Sequence, residues 1–452
     1  MYTVPKDTQP DKKSVEAAIK KNEEQRIRYN LLESYYTGEH PILARVKGEG
    51  LKNNRTVINH AEYITDVNVG YLMGNPIEYQ THESSTDIKP VTEEYRKQTI
   101  TRLDSELAED CSIFGRAYEL VYANEQNQVK SKAWDVRNCI VVYDDTVEHN
   151  KLFAITYGAV NEAEKTYYDV VVYTATESIK FSTKLEPGER KPHYFGVVPV
   201  VEYLNNKRAR GDFEGVITLI DAYNILQSDR LNDKEQLVDA ILVFYGLDMT
   251  KTQTDDLRKN RLLTAPADAK IEYLIKQLDE KNVDTLRDRF EKDIHKISKT
   301  PNLSDENFVG NSSGVAIRYK LFVFEQNVKK KERSFDLGLF DRFRAYNNYL
   351  VKASKMGLVE NYDVYAVFKR NLPQNDLEMS QIYLNLKDGV SEETLLSQIS
   401  FVEDAKNEIE SVKKQKEEAV KMAAEQFGTT NPTTQANPNN PVGLSANKGG
   451  VK

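Results

Sequence analysis

Two adjacent carboxylates, Asp144 and Asp145, are the residues of this chain with the most capacity for chemistry. They follow the strand-like run Ile140-Val141-Val142-Tyr143. A pair so placed serves a two-metal nuclease when further acids converge on it, and the sequence supplies no such second set. Aspartate also favours strand ends, where it bonds its own backbone, so a turn accounts for the pair more simply. His40, His60, His82, His149, His193 and His295 fall in no HExxH, HxxxH or cysteine-paired spacing. Each reads as a surface or hydrogen-bonded histidine. No GxxxxGK[ST] phosphate loop occurs, and Gly310-Asn311-Ser312-Ser313-Gly314 lacks the lysine that would reach phosphates. The expectation is a non-enzymatic chain that hydrolyses no nucleotide and takes no metal or cofactor.

Composition narrows the classes further. At 452 residues the chain is long enough for two to four domains. A net charge of -8 argues against tight, sequence-independent gripping of nucleic acid, which requires many phosphate-neutralising cations. Cys111 and Cys139 lack CxxC spacing and read as buried small hydrophobes in a reducing compartment. The opening residues have no apolar run of the signal type, and no later stretch approaches a membrane span. A soluble protein, cytosolic when made and with no membrane partner, is expected.

The elements that must position these groups follow from periodicity. Val15, Ala18 and Ile19 open a stripe that Ile27, Leu31 and Tyr35 continue, predicting a helix over 14–36. A second helix, 57–73, is closed by Gly74-Asn75-Pro76, and a third spans about 90–114 before Gly115. The period then changes to two. Segments 117–122, 139–143, 153–157, 167–174, 178–182 and 196–203 predict an antiparallel, meander-like β region.

Helix returns at 212–239, with Phe213, Val216, Ile217, Ile220 and Tyr223 on its buried face. Residues 227–236 are polar almost all round, the pattern of a helix that leaves its domain for neighbouring subunits or a water-filled space. A small α/β insertion follows, with strands at 240–245 and 271–275 and a charged helix near 255–261. Val283, Leu286, Phe290, Ile294 and Ile297 then stripe a helix over 280–299. Beyond a polar connector, an unusually long helix over 315–356 carries Leu321, Phe324, Val328, Phe335, Leu339, Phe343 and Leu350, with Gly338 as a place to bend. Shorter helices fill 376–420, and 428–452 is too poor in apolar groups to fold alone. Lys329-Lys330-Lys331 and the mixed run 413–418 read as solvated helix faces. The fold class is α+β, mainly helical.

Several segments, in order, carry a resemblance. Tyr35-Tyr36-Thr37-Gly38, Asn53-Asn54-Arg55, Gly70-Tyr71-Leu72-Met73-Gly74-Asn75-Pro76-Ile77, Phe114-Gly115-Arg116-Ala117-Tyr118-Glu119 and Tyr143-Asp144-Asp145-Thr146 lie in the first half. Gly211-Asp212-Phe213-Glu214, Leu219-Ile220-Asp221-Ala222-Tyr223-Asn224, the run from Asn307 to Ala316 and Arg370-Asn371-Leu372-Pro373 lie in the second. From about residue 30 to 420 the chain resembles the portal proteins of long-tailed bacteriophages of Gram-positive bacteria.

The resemblance implies a ring, usually of twelve copies, at one capsid vertex, with double-stranded DNA passing through it during packaging and ejection. It implies a wing from 1–210 and 315–375, stem helices at 211–239 and 278–300, a clip at 240–277, a tunnel loop at 301–314, a crown at 376–427 and a disordered tail at 428–452. The loop would present Ser304, Asp305, Glu306, Asn307, Phe308, Val309, Gly310, Asn311 and Ser312 to DNA. Gln227, Arg230, Asp233, Lys234, Arg287 and Lys292 would form the stem wall or a subunit interface. Asp255, Arg258, Lys259 and Arg261 of the clip would dock partners. Those partners would be the large subunit of a terminase and then a head-tail adaptor, with major capsid and scaffolding proteins against the wing. The chain would thus reside in the virion and, during assembly, in the host cytoplasm. Two alternatives belong to other classes: a metal-dependent nuclease built on Asp144 and Asp145, and a helical scaffold or adaptor protein.

Overall fold

The computed structural model describes residues 1–49, 51–83, 85–162, 165–238, 241–245, 270–274, 280–304, 314–370, 376–397, 399, 402 and 405–427. They form two units, 1–372 and 373–452. Expectations for 305–313, 255–261 and the tail therefore lie outside the described residues, as do those for the site residues Asp305 to Ser312, Asp255, Arg258, Lys259 and Arg261.

In the first unit, β1 (Tyr2–Val4) precedes α1 (Lys12–Tyr36), whose start is fixed by a reciprocal cap between Asp11 and Ser14. On α1 the inward residues are Tyr29, Leu32 and Tyr35, whereas Ile27 and Leu31 are exposed. The stripe predicted through Ile27 and Leu31 is thereby corrected: stepping by four drifts round a helix of 3.6 residues per turn. Next come α2 (His60–Met73) and β2 (Glu78–Thr81). The third predicted helix is two, α3 (Lys89–Lys97) and α4 (Ile100–Phe114), broken at Thr99 with φ 52°. The break lets the Gln98 side chain leave the helix path and bond Val129 O at 2.7 Å and Ser131 N at 3.0 Å.

Then follow β3 (Arg116–Ala123), β4 (Val129–Trp134), β5 (Cys139–Asp144), β6 (Lys151–Glu162), β7 (Lys165–Tyr173), β8 (Glu177–Phe181), β9 (Pro187–Pro192) and β10 (Val200–Leu204). They make a six-stranded sheet, β1-β5-β6-β7-β8-β9, and a three-stranded sheet, β10-β3-β4. The expected meander is real from β5 to β9. The parallel β1–β5 pair and strands β4 and β9 were not predicted. Asp144 ends β5 and accepts from Thr146 Oγ1 at 2.6 Å and Asn150 N at 3.0 Å, which is turn chemistry.

A long helical pair comes next: α5 (Ile217–Val238) and α6 (Glu280–Ser298), with β11 (Ile241–Tyr245) and β12 (Lys270–Leu274) paired antiparallel between them in sequence. Helix α7 (Gly314–Lys352) then runs across the unit, and β13 (Val364–Val367) pairs with β2. Every apolar residue predicted for the face of α7 is buried. Helix α7 continues through Gly338, where a Cβ would overlap the Tyr203 ring, so glycine there permits close approach to β10.

Two charged residues on α7 are also buried. Arg342 binds Asp104 at 2.5 Å beneath the sheet β10-β3-β4, and Lys331 pairs with Asp212. Both cysteines are free and buried. The second unit contains α8 (Asp376–Leu386), α9 (Glu392–Leu396), capped by Ser391, and α10 (Ala405–Phe427). Among its described residues only Leu395 is buried. No described helix is long and apolar enough to cross a membrane.

Candidate channel-forming surface

Helices α5 and α6 lie antiparallel. Arg230 binds Asp284 at 2.8 Å and Lys234 binds Glu280 at 3.4 Å, so a step of four forward on one helix is a step of four back on the other. Arg287 adds ion pairs to Asp284 and Asp288 on its own helix. Of the predicted wall residues, Gln227, Arg230, Asp233 and Arg287 are half-buried, while Lys234 and Lys292 are exposed. The structure thus brings Arg230, Lys234 and Arg287 together at one helix–helix seam. Ser304 is exposed at the start of the connector.

The polar turn of α5 is not simply solvated, which corrects the sequence reading. Asn224, Ser228 and Asn232 are buried and accept from the backbone N–H groups of Ile58 at 2.9 Å, Thr56 at 2.9 Å and Asn54 at 2.7 Å. The spacing explains the fit. Alternate residues of an extended chain advance about 6.6 Å and positions four apart on a helix about 6.0 Å, so one polar stripe can satisfy three strand-like N–H groups. This is why α2 begins at His60 and not at residue 57. The preceding chain descends the same side of α5: Arg28 binds Glu214, Tyr35 OH donates to Asp221, and Arg45 and Lys47 bind Asp229 at 2.9 and 2.7 Å. His40 joins these strands of contact. Its Nε2–H donates to Tyr35 O, leaving Nδ1 to accept from the Asn224 amide.

The end of α6 is where the connector is rooted. Thr300 is buried, and its hydroxyl accepts from Asn68 Nδ2 of α2 at 2.9 Å. Its carbonyl accepts from His295 Nδ1 at 3.0 Å. Tyr63 OH donates to Pro301 O at 3.2 Å and accepts from Leu303 N at 2.8 Å, while Asn302 Nδ2 donates to Glu291 at 2.8 Å. Asn68 Oδ1 in turn accepts from Lys331 Nζ at 3.4 Å. The Lys331 ammonium pairs with Asp212, which also receives Ser112 Oγ at 2.6 Å and Asn205 Nδ2 at 2.8 Å. One buried network therefore joins the start of α5, the end of α6, α2 and α7.

Around it, His60 packs edge-on against Tyr223 at 4.9 Å and His295 at 5.8 Å. Burial lowers the His60 pKa to about 4, with the neighbouring His295 and His40 adding to the effect, so the ring is neutral at ordinary pH. His295 is lowered by burial as well.

Sequence reasoning missed Asn68, Asp212, Asn224, Ser228, Asn232 and Lys331. One signal was available for Lys331: it continues the three-and-four spacing from Leu321, Phe324 and Val328 towards Phe335. Among the described residues no group of three or more His, Cys, Asp or Glu is placed to hold a metal ion. The network ties the chain before α5, the end of α6 and the first residues of the connector to α2 and α7.

Comparison with known proteins gives the same direction. The family model described as "Phage portal protein, SPP1 Gp6-like" matches residues 16–422. A portal protein of Bacillus phage SPP1 is 23% identical over 394 residues, covering 82% of this chain and 78% of that protein. A portal protein of Clostridium phage phiCD119 is 22% identical over 412 residues, covering 82% of this chain and 88% of the other.

Proposed function

The chain belongs to the phage portal protein family of the SPP1 Gp6-like type, and from that membership we propose how its parts work. It is a structural component of the phage capsid and not an enzyme. About twelve copies close around an axis at one capsid vertex, and double-stranded DNA passes through the bore during packaging, is retained there, and leaves at ejection. Residues 211–239 and 278–300 are the stem, 240–277 the clip, 301–314 the tunnel loop and 376–427 the crown; 1–210 and 315–375 make the wing.

What carries this reading is the family match together with the root of the connector. A loop meant to meet a moving polymer must be anchored more firmly than it is gripped, and residues 300–303 are tied at five points to α2 and α6 by the bonds of Thr300, Pro301, Asn302 and Leu303. The loop from Ser304 to Ser312 narrows the bore, with Asn307, Phe308, Asn311 and Ser312 meeting DNA by polar and steric contact without reading bases. A net charge of -8 on each copy supports passage, since many phosphate contacts would act as a brake.

Force comes from a separate terminase, whose large subunit docks at the clip through Asp255, Arg258, Lys259 and Arg261. A head-tail adaptor takes that end afterwards, and major capsid and scaffolding proteins meet the wing. Assembly takes place in the host cytoplasm.

The test is native mass spectrometry of the purified chain. A particle near twelve times 51.8 kDa is expected; a population confined to monomers, dimers or trimers would contradict the proposal.

A further inference from the structure

The last turns of α1, the second half of α4 and the end of β4 surround a cavity of about 330 Å³. Glu33, Glu109, Asp110 and Asp135 line it against one cation, Arg137, and the rings of Tyr36 and Trp134 share the lining. The volume lies at the small end of the range for ligand pockets, ~300–1,000 Å³, where a single long side chain or a ligand of that size fits.

Part of the lining shows what its carboxylates hold. The Arg137 guanidinium donates Nε–H to Asp135 Oδ1 at 2.9 Å and Nη2–H to Asp135 Oδ2 at 2.7 Å, and its Nη1 binds Glu33. The α4 side has acids without such a cation. Asp110 accepts no hydrogen bond and makes no ion pair among the described residues. As a residue it is half-buried, yet burial is the largest influence on its carboxyl. The charged groups that face it are Asp135, from the turn after β4, and Glu109 and Glu106, from its own helix. Together these raise its pKa to about 7. Glu109 is raised too, by burial first, with the Tyr36 hydroxyl of α1 opposing the shift. A carboxyl set among carboxylates at a cavity wall, with no donor from its own chain, is stabilised in its charged form by a cation brought to it.

We propose that this cavity binds a second guanidinium, with Asp110 and Glu109 as its acceptors and the rings of Tyr36 and Trp134 beside it. A guanidinium is favoured over an ammonium because it is weakly hydrated and stacks on aromatic faces. It is favoured over a divalent metal because, among the described residues, no three of these acids are placed to hold one. An arginine side chain of a partner protein and a free alkylguanidine carry the same group, and the two are separated by experiment.

Trp134 is the chain's only tryptophan, so its emission reports on the cavity. The full-length protein is titrated at pH 8 and constant ionic strength with N-acetylarginine amide, with agmatine, and with N-acetylcitrulline amide as the neutral isostere. A saturable change is expected with both guanidines and none with the citrulline compound. Tighter binding of the capped arginine assigns the site to a protein side chain, and tighter binding of agmatine assigns it to a free small molecule. Asp110→Asn keeps the side chain's size and should abolish saturation, and calorimetric titration of this variant and of Glu109→Gln gives a readout independent of emission. Between pH 8 and pH 6 the ionised fraction of a carboxyl with a pKa of about 7 falls about tenfold, so wild-type affinity should fall by about that factor. Equal responses to arginine and citrulline, no saturable response to either guanidine, or wild-type affinity in Asp110→Asn would overturn the inference.

Discussion

Lys331 on α7 holds the carboxylate of Asp212, 119 residues away in sequence, and the pair links both long helices: Asp212 precedes α5, and Asn68 carries the contact on to Thr300 after α6. Both side chains are nearly inaccessible, at 6% and 7% exposure. Removing one partner from a buried pair leaves an uncompensated charge, at a cost of about 3–5 kcal/mol. Lys331→Ala should therefore lower the stability of the first unit by that order in chemical denaturation. Lys330→Ala, at an exposed neighbouring position, should stay within about 0.5 kcal/mol of wild type.

The stripe of Asn224, Ser228 and Asn232 satisfies three backbone N–H groups of the half-buried residues Ile58, Thr56 and Asn54. Truncating one acceptor removes a bond from a half-buried donor, at a cost of about 0.5–1.5 kcal/mol. Asn232→Ala should speed hydrogen exchange at Asn54, and Ser228→Ala at Thr56, with little change at the six-stranded sheet. Unchanged protection at both amides would show that the extended segment does not depend on α5.

His60 sets an expected pH dependence. Its folded pKa, about 4, lies below the ordinary 6.5, so between these values the unfolded chain binds more protons than the folded one. Stability then rises with pH across that window and is lost as pH falls from 6.5 towards 4. A shift of this size corresponds to roughly 3 kcal/mol. Denaturation of wild type and His60→Phe at pH 7 and pH 5 should show a smaller loss on acidification in the variant.

Much of the fold was legible because apolar periodicity survives translation into burial. Helices α5, α6 and α7 and the strands from β5 to β8 stand close to where their spacing placed them. Polarity translates less well. Asn232 and Lys331 carry the composition of solvated faces, but their partners Asn54 and Asp212 lie 178 and 119 residues away, and no local pattern announces a partner at that distance. Arg342 and Lys331 both sit in phase with the buried stripe of α7, and that phase outweighed their charge because a carboxylate waited for each. The connector was legible as a polar break between two helices. What anchors it was not, since Asn68 and Tyr63 find their partners Thr300 and Pro301 232 and 238 residues away, and nothing in their own helix announces them.

The central claim is that α5, α6 and the connector rooted at Thr300 surround an axis shared by many copies. A cryo-electron microscopy reconstruction of the purified assembly tests it most directly. The account predicts a closed ring with Lys234 and Ser304 nearer the axis than Ile179 in the core of the six-stranded sheet. A ring with α5 and α6 on its outer rim, or particles with no central opening, would contradict it.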